Sequence, residues 1–394
     1  MIFINTSSEA KKHYLRIARY FTYAKLLTLL AAVIFVLFAF YFYREDITVE
    51  NFRYMIKYLD FQSPESDTVN GSSVSFESEL SDGMVLYKND IAMLKKTGLD
   101  LYDLSGQKVF SSSYTMTSPN AVSGKKYLLV YDVGGTYAAV FNTFSKIWET
   151  NFENPIIDAA INDNGDFCII TSEKGYRSAV YMFNSDFKKT YRWLSGEKYA
   201  VDVSMSKKKS DDFIVSAIRA SGGFYQSDII RLSESSDVII ASTSMYDELV
   251  LETANFAENV AVLTDKKLSF FNADTLESVS SFEFSRDSLS DFVYNEKYYV
   301  LALSKKIIGS ENDITIFSED GENLHSFSSR GLILDICISD DKLYQLCSGE
   351  LTVYDLKTYE TEVLETDKKY DRLISDDSTV IIACSSDAIA IKGE

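Results

Sequence analysis

Hydrophobic and polar positions change rhythm twice along this chain of 394 residues. An uncharged apolar run of 18 residues opens at Leu26 and closes at Tyr43. As a helix it spans about 27 Å, close to the hydrocarbon thickness of a bilayer. In residues 44–73 a short amphipathic helix is expected first, with Val49, Phe52, Met55 or Ile56, and Leu59 at helical spacing and Thr48 as its cap. A linker rich in Ser, Asp and Gly follows. Beyond residue 74 no helical period persists. Short apolar runs alternate with turn residues, the mark of strands.

Those strands repeat. Leu99, Asp100, Leu101, Tyr102, Asp103, Leu104, Ser105 and Gly106 read as a strand ending in a polar turn. An equivalent aromatic or aliphatic residue closes the third strand of each unit at Tyr102, Phe141, Phe183, Leu232, Phe271, Phe317, Tyr354 and Ile391. The spacing, near 40 residues, is that of four-stranded propeller blades. The expected fold is all-β: a β-propeller over residues 74–394 with eight four-stranded blades, seven being the second count, preceded by one transmembrane helix. Units begin near residues 82, 118, 155, 198, 247, 289, 331 and 369. The last has only three strands of its own. A strand at residues 74–78 could supply the fourth and close the ring.

Charge adds a topology. Lys11, Lys12, Arg16, Arg19, Lys25 and Arg44 face only Glu9 in the first 44 residues. With a net charge of −19 overall, that +5 leaves −24 on the remainder. Positive charge before the span places residues 1–25 in the cytoplasm as a basic tail and the propeller outside it. The expected location is the cell membrane, single-pass, held through the run from Leu26 to Tyr43. An acidic body argues against a nucleic-acid partner. Cys168, Cys337, Cys347 and Cys384 sit in apolar runs and read as buried free thiols, with a Cys337–Cys347 disulfide as the alternative.

A single span followed by such units resembles the uncharacterised membrane-anchored propeller proteins of clostridial-type Gram-positive bacteria. The units also resemble WD-repeat and quinoprotein-type propellers. The resemblance implies architecture and location but no reaction. The Trp-Asp pair of WD repeats is replaced here by Tyr102-Asp103 and Tyr354-Asp355.

One constellation could carry chemistry. An acid or its amide stands near the start of each unit's first strand: Asp82, Asn120, Asp158, Asp202, Glu252, Asp291, Asp335 and Asp371. First strands line a propeller's channel, so these groups would ring one mouth. In the preferred structural reading, each carboxylate accepts backbone N–H bonds from a neighbouring blade. In the functional reading, the oxygen ligands bind a cation, with Ca²⁺ the best match. No catalytic residue and no other cofactor is expected. His325 is the only histidine of the body and Lys207, Lys208 and Lys209 read as a solvated turn. The reading favoured is a non-catalytic interaction or scaffold module of the cell envelope with a protein or envelope-polymer partner. The alternative is a ligand- or cation-binding sensor or hydrolase using the acidic channel.

Overall fold

The computed structural model describes residues 8–42, 73–75, 83–285, 288–305, 311–376, 379–384 and 386–391. Asp82, the amphipathic segment at residues 48–61 and nearly all of the linker lie outside them. Two units are distinct, residues 1–65 and 66–394.

In the first unit one helix, α1, runs from Ser8 to Phe42. It takes in the apolar run almost whole and extends back through basic residues expected to form a tail. Ile17–Phe35, with a mean hydropathy of 1.4, is long and apolar enough to cross a membrane. Phe21 and Phe35 are more than 70% exposed. The Thr22 and Thr28 hydroxyls donate to the Ala18 and Ala24 carbonyls at 2.9 Å, so both polar side chains are satisfied within the helix.

The second unit is a ring of eight four-stranded antiparallel blades. They occupy residues 83–113, 119–151, 156–195, 199–246, 250–283, 289–330 and 333–365, with blade 8 at 372–391. The first strands begin within three residues of the unit starts read from sequence. In the seven complete blades the strands follow one another in chain order. Blade 8 draws its outer strand from Ser73–Ser75, which pairs Val74 with Ala388 antiparallel. The N-terminal end of the domain therefore closes the blade that the C-terminal end begins. First strands of blades 8 and 1 pack against each other, completing the circle.

Burial follows this order. Second and third strands are covered on both faces, as at Asp90–Lys95 and Lys267–Asn272, while outer strands such as Ser278–Glu283 alternate with solvent. Eight apolar clusters form, one between each neighbouring pair of blades. Leu99 and Phe141 belong to the seam of blades 1 and 2, Ile381 and Met93 to that of blades 8 and 1. Each such side chain contributes about 1.5–3 kcal/mol by leaving water. All four cysteines are buried and free. Cys337 stands opposite Tyr344 and Cys347 opposite Ile333, which keeps the two thiols apart.

The Asp or Asn that recurs at the end of five third strands has a local cause. Asp103, Asn142, Asn184, Asn272 and Asp355 each accept two backbone N–H bonds within the following turn. The Tyr-Asp and Phe-Asn pairs thus end a strand and shape a turn. Lys208 bridges Glu258 at 2.8 Å and Asp274 at 3.1 Å, so the lysine turn is tied to blade 5 rather than merely solvated.

Candidate functional site

The axis of the ring is lined by first strands, and there the acidic positions come together. Asp158, Asp202, Glu252, Asp291 and Asp335 all lie on these strands. In each case the pairing with the second strand slips by one residue immediately before the acid: at Ile156/Asp158, Ala200/Asp202, Val250/Glu252, Leu289/Asp291 and Ile333/Asp335. Such a bulge re-aims the side chain that follows it. Five consecutive blades use the same device at the same place.

Three of the carboxylates meet a backbone N–H of the next blade. Asp158 accepts the Val203 N–H at 3.0 Å, and Asp335 accepts the Leu373 N–H at 2.7 Å. Asp291 faces the Ile336 N–H in the same way. Asp291 and Asp335 also accept the N–H of the residue that follows them, at 2.8 and 2.9 Å. Burial pushes all three carboxyls up, Asp291 to about 6, while these N–H donors pull them back.

The remaining positions behave differently. Asn120 is exposed and donates to the Tyr131 hydroxyl at 2.9 Å, and that hydroxyl donates to Asp158 at 2.9 Å. Asp371 precedes its strand, is 59% exposed, and lies 4.0 Å from Arg372. Glu252 accepts the Tyr294 hydroxyl from blade 6 at 2.9 Å. Asp202 is flanked by the hydroxyls of Ser216 and Thr253, themselves 2.6 Å apart, yet its Oδ2 is buried with no hydrogen-bond partner. Burial raises Asp202 most, and the charges of Glu252 and Asp158 raise it further. Burial also raises Glu252, with Asp158 adding to it.

Tyr131, Tyr294 and Tyr299 complete this polar lining; in the sequence they stand in apolar runs that give no sign of it. Among the described residues no three His, Cys, Asp or Glu side chains form a group that could hold a metal ion. His325 is half-buried and stacks on Tyr359 at 4.1 Å, far in the fold from this axis.

Fold and axis together define an eight-bladed propeller sealed by its N-terminal strand. The chain belongs to DUF5711, a family of unknown function, whose profile matches residues 65–391. Solved structures share the fold, three among them as follows. The computationally designed Ika8 protein is 11% identical over 82% of this chain and 100% of its own, with a TM-score of 0.62. BamB from Moraxella catarrhalis is 10% identical over 82% and 97%, with a TM-score of 0.55. Chaetomium thermophilum Sqt1, bound to the N-terminus of the ribosomal protein L10, is 10% identical over 82% and 100%, at 0.57. No curated protein matches the sequence.

Proposed function

We propose that this protein is a non-catalytic interaction module of the cell envelope, anchored by α1 with its basic N-terminus in the cytoplasm and its propeller outside. The observation that carries the reading is the distribution of exposed apolar side chains on the ring. First-strand starts, second-to-third turns and fourth-strand ends share one end of every blade. That end carries Phe224 at 67% exposure, Tyr246 at 71% and Leu332 at 62%, together with Tyr176, Tyr199 and Leu251. The opposite end exposes Val238, Val279, Leu324 and Tyr359 as well, so both loop faces of the ring present large apolar side chains, and such exposed groups are typical of docking surfaces. Support for the anchor is the exposed apolar helix whose threonines are satisfied internally, as a hydrocarbon surrounding demands.

In-cell crosslinking of the full-length chain tests the reading. One envelope protein should co-purify and be lost when residues 83–391 are deleted with α1 retained. Capture of nothing above background overturns the protein-docking reading. An intact N-terminus in the mature chain supports an anchor, and a mature chain beginning after residue 35 shows a cleaved leader instead.

A further inference from the structure

Among the described residues, the buried and half-buried acids fall into two groups. Most are matched by cations. Asp228 lies 3.1 Å from Lys198 and 3.0 Å from Arg219, and Asp100 lies 3.0 Å from Lys95 and 3.1 Å from Lys108. Asp341 has Lys297 at 3.0 Å and Lys357 at 2.5 Å. Along the axis the opposite holds. Asp158, Asp202 and Glu252, on adjacent blades 3, 4 and 5, act electrostatically on one another. Among the described residues no Lys or Arg forms an ion pair with any of them.

Two further features point at the same place. The Asp202 Oδ2 is buried without a hydrogen-bond partner. Tyr299, 0% exposed, also has a hydroxyl with no partner, and the charges it feels are those of Glu252 and Asp202. Tyr299 stands opposite Tyr294 in the blade 6 hairpin, their rings 5.5 Å apart at 15°. Tyr294 is 36% exposed, so solvent reaches this lining although protein surrounds it. Uncompensated buried charge is costly, and a matching counter-charge recovers that cost.

We propose that the axial wall of blades 3 to 6 binds an organic cation, a protonated amine or guanidinium group, between Asp158, Asp202 and Glu252, with the Tyr299 hydroxyl and the Tyr294 ring completing the site. The absence, among the described residues, of a three-ligand metal group favours an organic cation over a metal ion. The aromatic pair suits a cation that is weakly hydrated and can meet a ring face. The inference stands apart from the docking surfaces and does not rest on them.

Calorimetric titration of the full-length chain in detergent micelles with L-argininamide tests the proposal, with CaCl₂ as the competing probe. Argininamide should bind saturably and raise the melting temperature. Glu252→Gln should weaken binding at least tenfold while leaving the unliganded protein as stable or more so, because it removes a like charge. Asp202→Asn should do the same. That opposition of signs separates a binding role from a purely structural one, which would cost stability in both variants. No saturable binding, equal affinity in Glu252→Gln, or full displacement by Ca²⁺ each overturns the proposal. Crosslinking with Glu252→Gln then identifies the source. Lost partner capture assigns the cation to a partner's Lys or Arg side chain, and unchanged capture assigns it to a free small molecule; either upholds the site.

Discussion

Two aspartates at equivalent sequence positions do unequal work. Asp335 receives two N–H groups, one from its own strand and one from blade 8, while Asp371 is largely in water beside Arg372. Sequence spacing alone expects both to lock blades. Their surroundings predict that Asp335→Ala lowers unfolding free energy by about 1–3 kcal/mol, because two donors lose their acceptor. Asp371→Ala should change it by less than about 0.5 kcal/mol. Urea denaturation of both variants checks this. Equal losses in the two would show that blade geometry, and not the number of N–H donors, sets the effect.

Strands show the same dependence on neighbours. Ser73–Ser75 is only three residues long, yet it gives blade 8 its fourth strand. Without it Asp387–Ile391 becomes an open edge, and the ends of the domain are no longer tied. Val74→Pro removes a backbone donor from that pairing. It is expected to lower stability by roughly 1–3 kcal/mol through lost ladder bonds. Hydrogen exchange should report it locally, with protection at residues 380–383 and 387–391 falling before that of blades 3 to 6. Uniform exchange across all blades would mean that the eight inter-blade seams alone hold the ring. The first-strand bulges are the complementary device, since they turn a repeated acid towards the axis in five blades.

Stability of the closed ring should depend on pH through its axis. Asp158, Asp202, Glu252, Asp291 and Asp335 are all held above their ordinary values, chiefly by burial. Raised acids bind protons more tightly in the folded state, so stability falls as pH rises from about 4 towards about 6 and stays low above that. Asp341, which Lys357 and Lys297 hold down at about 2, works the other way and loses its contribution only in stronger acid. The melting temperature should therefore be higher at about pH 5 than at about pH 7.5, by an amount on the order of 2 kcal/mol in stability, and fall again near pH 3. A melting temperature that rises steadily from pH 5 to 7.5 would show that surface ion pairs, and not the axial carboxyls, govern the molecule.

Much of this architecture is legible in the chain because it depends on near neighbours. Tyr102, Phe141, Phe183, Leu232, Phe271, Phe317, Tyr354 and Ile391 all fall in the last two residues of third strands. Alternation, turn residues and the side-chain-to-backbone bonds of Asp103 or Asp355 act over two to four positions, and a sequence displays them directly. The same periodicity located the acids, with Asp158, Asp291, Asp335 and Asp371 each five residues before a hairpin turn. Sequence alone left eight and seven blades both open; the pairing of Val74 with Ala388, more than three hundred residues away, makes the count eight. It also could not say which acids meet an N–H, which lie in water, and which, like Asp202, keep an oxygen buried without a hydrogen-bond partner, because each outcome is set by a strand one blade away. Local chemistry writes the repeat into the chain, whereas burial and charge compensation arise only when distant strands meet around the axis.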